Sequence, residues 1–330
     1  MQTRFHIRAF PHEAMAHGIP PRIPFLPDNV VQWPTTTLVT GMEGEFLWLD
    51  EDLEPTSSVA TPFPMRTVLA VAGEEHLIAC WLDRELLLAN MGTIPLGFTE
   101  QGISRAELRR GGTSGQARHP KGHTWSHSLD AEPIAMVCHD GSVLFSLYNR
   151  GLYCIDEDAT ERWRVAPPSW RYTKRRPRST EIVALHVQGD EFTITSRGGR
   201  IQRRSMRNGA LLEEFILPAI EGPLEHHFQA GEEHLVCSSD GTVWWLQHLE
   251  HRMHIKLSGP VQDAKWDPTI NGWRIAGWRE EIVLTSNAIH RNETDEIPHR
   301  VVFAQGQTFI LFNDGSWENA HQVPLVSEEE

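Results

Sequence analysis

Seven short segments of this chain superpose on one tight turn, and the distances between them limit the folds open to it. The segments are EGEFLWLD (43–50), DRELLLAN (83–90), RGLYCIDE (150–157) and GGRIQRRS (198–205), followed by DGTVWWLQ (240–247), EEIVLTSN (280–287) and DGSWENAH (314–321). Their second residues fall at 44, 84, 151, 199, 241, 281 and 315, in steps of 40, 67, 48, 42, 40 and 34. Dipeptides such as Asp-Gly and Gly-Gly supply the positive φ that a two-residue hairpin needs. In six of the seven units an apolar run stands just before the turn, for example HLVCSS (234–239) and FILFN (309–313). Strand-like runs rich in Val, Ile, Leu, Phe and Trp recur almost everywhere, and no segment reads as a long helix.

A period near 40 with about four short strands per unit is the pattern of a propeller blade. A four-stranded blade cannot bury both of its faces alone; stacked radially, each blade covers its neighbours. The expectation is an all-β chain folded as a seven-bladed β-propeller with about four antiparallel strands per blade. Trp48, Phe145, Trp244 and Val283 lie in apolar strands that face a neighbouring blade and should be buried. The ring is assigned to 29–326, preceded by an N-terminal arm at 1–28 and followed by an acidic tail at 327–330. Within the arm, TRFHIRAF (3–10) reads as a strand able to complete the last blade and close the ring.

Two segments, 228–247 and 261–287, resemble the inner strands of WD-repeat blades. Trp266, Asp267 and Pro268 stand where that family has an aromatic, a small polar residue and Pro. GLYCIDEDATERWRV (151–165) is similar to the quinoprotein-like (PQQ-like) blade, and 44–55 repeats its first half. The resemblance implies the propeller fold and no particular activity.

Apolar residues make up 40% of the 330, enough for a full core and too many for a disordered chain. Acidic residues outnumber basic ones 44 to 30, so the molecule as a whole repels nucleic acid and anionic lipid. The N-terminus has no apolar signal region and no run is long enough to span a bilayer, so a cytoplasmic protein with no membrane partner is expected. Cys80, Cys138, Cys154 and Cys237 are scattered through apolar runs, as buried hydrophobes are.

Two connectors break the acidic pattern. An inserted loop at 99–124 accounts for the 67-residue step and reads as a link between the second and third blades. It carries Arg105, Arg109, Arg110, Arg118 and Lys121 against Glu100 and Glu107, a net of +3. The link from the third blade to the fourth, 166–180, carries Arg171, Lys174, Arg175, Arg176 and Arg178 with no acid, a net of +5. Trp170 and Tyr172 interleave with these arginines, and both residue types can stack on bases. Links from last strand to first strand share one face of the disc, so the two loops should be neighbours. The candidate partner-binding set is therefore Arg109, Arg110, Arg118, Trp170, Arg171, Tyr172, Lys174, Arg175, Arg176 and Arg178.

No set of residues reads as a catalytic or cofactor site. His119, His123 and His127 recur every fourth residue, the spacing of some zinc helices, but Pro120 and Gly122 oppose a helix and no carboxylate or Cys completes them. His226 with His227, and His248, His251 and His254, read as strand and turn residues without partners. Asp50 and Asp156 recur after a strand and read as turn formers that cap backbone N–H groups. The functional expectation is a non-enzymatic platform presenting a basic loop face to an acidic protein partner, as a monomeric ring or a subunit of a larger complex. The alternatives are a nucleic-acid-associated propeller and, third, a propeller enzyme of unstated chemistry.

Overall fold

A computed structural model describes residues 18–110, 118–171, 178–217 and 222–322 of the chain. The seven turns of the sequence repeat are the same structural turn in every unit, the one between the second and third strands of a sheet. Around each, the chain builds an antiparallel meander with strands in sequence order. Blade 1 spans Pro27–Gln32, Thr37–Gly41 and Phe46–Leu49. Blade 2 begins at Arg66–Ala72 and blade 3 at Pro133–His139. Blades 4, 5 and 6 begin at Ile182–Gln188, Leu224–Ala230 and Asp263–Asp267. Blade 7 spans Pro298–Ala304, Gln307–Phe312 and Trp317–Asn319. Blades 2 to 6 have four strands; among the described residues blades 1 and 7 have three. Only isolated bridges, Phe46 to Ala60 and Leu49 to Pro55, occupy the fourth position of blade 1.

The first strands contact one another in a closed circle, with Pro298–Ala304 returning to Pro27–Gln32. Apolar side chains gather in seven clusters, one between each pair of neighbouring blades. Trp48, Phe145 and Trp244 lie in them, and Val283 is buried beside them; the four are from 1% to 7% exposed. Ile23 joins the cluster between blades 7 and 1, and its N–H donates to the Gly315 carbonyl at 2.8 Å. The arm is thus part of the seam from about Arg22 onward, and Pro27 and Asp28 already belong to blade 1. Segments 3–10 and 327–330 lie outside the described residues. Asp50 and Asp156 do cap their turns: Asp50 Oδ1 accepts from the N–H of Asp52 and Glu54, Asp156 Oδ1 from Asp158 and Thr160.

One connector is not where the repeat spacing puts it. The third strand of blade 2 is Leu88–Pro95 and its fourth is Ser126–Ser128, so the insertion lies inside blade 2 and not between blades 2 and 3. The spacing shows only that residues are added between two turns; which strand pair receives them depends on pairing. Here Gly92 pairs with Ser126 and Asn90 with Ser128, and the three residues of Ser126–Ser128 carry no strong strand signal.

Replacing Trp245 tests the interblade packing. Its ring is fully buried between blades 5 and 6, edge-on to Trp266 at 5.7 Å. Trp245→Ala should cost about 3–5 kcal/mol, read as a lower midpoint in denaturant; an unchanged midpoint would show that this interface does not limit stability.

Candidate functional site

The insertion starts on the face of the disc opposite the blade-to-blade links, then crosses to the linked face. Trp48 Nε1 donates to the Phe98 carbonyl at 2.9 Å, Gly102 N–H to Thr61, and Lys121 N–H to Pro62. Thr61 and Pro62 belong to the link from blade 1 to blade 2. A short helix, Arg105–Arg109, forms there under a capping box in which Ser104 and Glu107 satisfy each other's backbone. Its one buried side chain, Leu108, enters the cluster between blades 1 and 2. The described insertion is therefore anchored chain, and it reaches the connector face by packing rather than as a blade-to-blade crossing.

Two open grooves of about 800 Å³ each lie on that face. One is lined by Arg66, Asp83, Arg84, Arg105 and Glu107, the other by Arg84, Tyr148, Pro167, Arg178 and Arg197. Arg84 borders both, so the insertion helix and the end of the 166–180 connector stand on either side of one turn. The charge there is largely compensated. Arg105 pairs with Asp83 at 2.7 Å and Arg109 with Glu85 at 2.8 Å. Lys121 lies 3.6 Å from Glu100 and Arg178 lies 2.7 Å from Glu181, which also takes Arg197. Arg110, Arg118 and Arg171 are exposed and have no ion pair among the described residues.

Trp170 is not available for stacking on a ligand. It is 8% exposed, packs in the cluster between blades 3 and 4, and donates from Nε1 to the Thr180 carbonyl at 3.2 Å. The connector thus needs its Trp as an anchor, since a large apolar ring gains more from burial than an exposed loop offers it. Tyr172, Lys174, Arg175 and Arg176 lie outside the described residues.

The histidine triplet does not assemble as a ligand set. His119 and His123 stack at 5.4 Å, His123 Nδ1 lies 2.7 Å from the Pro120 carbonyl, and His127 leans on Trp125. Among the described residues no group of three or more His, Cys, Asp or Glu is placed to hold a metal ion.

Another histidine group, scattered in sequence, meets between blades 4 and 5. His186 Nε2 lies 2.7 Å from the His227 carbonyl, Thr195 Oγ1 2.6 Å from His227 Nδ1, and His227 Nε2 3.0 Å from His234 Nδ1. His227 is thus fully partnered, contrary to the reading of 226–227 as unpartnered strand residues. Burial pushes His186 and His234 down to about 4 and His227 well below the ordinary value, so all three are neutral at pH 7. A polar residue at an inward strand position was the available signal, but three positions on different strands show no common spacing.

No protein-family model matches the chain, and no curated protein matches it by sequence. Its fold is similar to the WD40 β-propeller domain of Doa1, with a TM-score of 0.65 at 12% identity over 93% of this chain and 96% of that one. BamB from Moraxella catarrhalis superposes with a TM-score of 0.55 at 10% identity, covering 88% of this chain and 83% of that one. The computationally designed Ika8 protein gives 0.61 at 8% identity, over 92% and 98%. At such identities the likeness concerns the fold alone.

The histidine group has a pH consequence. The unfolded chain takes up these protons near the ordinary value of 6.5, whereas the native state resists them to about 4. Stability from neutral burial is therefore full above pH 6.5 and falls as pH drops toward 4. The slope is about 1.4 kcal/mol per pH unit for each such group. Urea midpoints measured from pH 7.5 to 4.5 should fall steeply below 6.5; a flat profile would contradict the burial of neutral imidazoles.

Proposed function

We propose that this propeller is a non-enzymatic interaction platform whose connector face docks an acidic segment of a protein partner. The observation that carries the reading is the trio Arg110, Arg118 and Arg171, exposed and without ion pairs among the described residues, on a chain of net charge −14. Arg110 directly follows the insertion helix whose Arg105 and Glu107 line one groove. Arg171 belongs to the connector whose Pro167 and Pro168 line the other, and the closed ring holds those grooves in place. A local cationic field on an acidic body steers an anionic partner into one orientation while the remaining surface repels it. Arg175 and Arg176 belong to the same proposal on charge alone. It also takes the protein to be cytoplasmic, as a monomeric ring or a subunit of a larger complex.

The nucleic-acid reading is the weaker one. Base stacking by the connector would use Trp170 and Tyr172, and Trp170 is held in the core. The ion pairs of Arg105, Arg109 and Arg178 further reduce the charge open to phosphates.

Fluorescence anisotropy with a labelled oligoglutamate peptide, and separately with a single-stranded oligonucleotide, tests this reading. Exposed charges are screened beyond about 8 Å at physiological salt. The peptide should bind at 20 mM salt and weaken about tenfold by 200 mM, whereas the triple variant Arg110→Glu, Arg118→Glu, Arg171→Glu should lose binding and keep its unfolding midpoint. Tighter binding of the oligonucleotide would favour the nucleic-acid reading. Peptide binding indifferent to the triple reversal would remove the connector face from the function.

A further inference from the structure

The far face of the disc carries a cavity that the platform reading does not use. It lies between blades 4 and 5, has a volume of about 470 Å³, and is lined in part by His186, Thr193, Phe215, His234, His248 and Leu249. Cavities of this size hold one- or two-ring molecules.

The hydrogen bonds behind its wall fix which polar atoms it presents. Thr195 is fully buried, and among the described residues its hydroxyl meets only His227 Nδ1. Were the hydroxyl to accept from Nδ1–H, its own proton would be left unpaired in the core, which costs the desolvation of a buried donor with nothing in return. The hydroxyl therefore donates, and neutral His227 keeps its proton on Nε2. That N–H donates to His234 Nδ1 at 3.0 Å, which places the His234 proton on Nε2. His234 is only 4% exposed, and its Nε2–H has no acceptor among the described residues. On the opposite wall, His186 Nε2 lies 2.7 Å from a carbonyl and must donate, which leaves Nδ1 with an open lone pair. The cavity thus offers one N–H donor and one acceptor, each held in a set tautomer.

The rest of the lining selects by charge and shape. Arg203 is engaged by both Glu191, at 3.2 Å, and Glu213, at 2.8 Å, with its guanidinium over the Phe215 ring. With Glu232 at the rim, three carboxylates face one guanidinium, a field that disfavours anions. Phe215 and Leu249 supply apolar walls for a flat molecule. The turn that closes the mouth holds His248 and Leu249 at φ 51° and 63°, a conformation costly for branched and bulky side chains. Gly or Asn would relieve that strain and remove both side chains from the mouth.

We propose that the cavity between blades 4 and 5 binds a neutral, planar small molecule bearing an amide or lactam group, whose carbonyl accepts from His234 Nε2–H and whose N–H donates to His186 Nδ1. The site lies on the face opposite the connector grooves and does not depend on the platform reading.

Long-range ¹H–¹⁵N spectra of the full chain report each imidazole nitrogen separately. Nicotinamide and uracil, titrated separately at pH 7, are the probes, with benzoate as an anionic ring of like size. At least one neutral probe should saturably shift His234 Nε2 and His186 Nδ1, and benzoate should bind at least tenfold more weakly. Leu249→Trp, which fills the mouth and leaves the histidines in place, should weaken the neutral probe at least tenfold. If that variant does not fold, His248→Trp on the exposed rim serves the same purpose. The proposal is overturned if neither neutral probe saturates by 50 mM, if benzoate binds equally, or if the mouth-filling variant leaves affinity unchanged.

Discussion

Every blade of this protein has two apolar faces, and neither can be covered from within the blade. That constraint governs the structure. The seven clusters lie between blades, so each sheet is stable only with a neighbour on both sides, and the first and last blades must meet. At that seam Val39, Leu47, Val302 and Phe309 pack together around Ile23 of the arm. Polar stitches lie beside them: Gln32 Nε2 donates to the Phe303 carbonyl at 2.8 Å, and His299 and Arg300 both donate to the Asp28 carbonyl. A side chain replacing a ladder bond loses little, because the donor and acceptor remain paired. The circle holds without strand exchange among the described residues.

Rigid seams also decide what the surface can do. A link between blades is anchored at both ends, so its large apolar side chains are drawn inward, as Trp170 is, and its charges find the carboxylates of nearby turns. Of the basic residues in the described connectors, those that keep an open charge are the ones beyond reach of Asp83, Glu85, Glu100 and Glu181. Between blades, polar residues are admitted where they complete one another. The chain from Thr195 through His227 to His234 is satisfied at every inner atom and open only at its last. A neutral imidazole, both donor and acceptor, is suited to such a relay, at the cost of stability in acid.

The architecture was legible in the sequence because it depends on local chemistry repeated many times. Gly44, Gly199, Gly241 and Gly315 sit at positive φ in the turns that the alignment used, and alternating apolar residues between those turns point into the seams. Blade number, strand order and the burial of Trp48, Phe145, Trp244 and Val283 all follow from that repetition. The placement of the 99–124 insertion did not, because a strand of three residues, Ser126–Ser128, is created by its partner rather than by its own propensity. Net charge per loop was also legible, but the charge left open was not: Arg105 and Arg109 are neutralised by acids some twenty residues away. His186, Thr195, His227 and His234 come from four strands of two blades and share no spacing. The sequence by itself determined the ring, since a repeat of turns and apolar strands has one way to cover its faces. Only the tertiary structure decided which side chains meet across the seams, since those contacts depend on the angle and register between sheets.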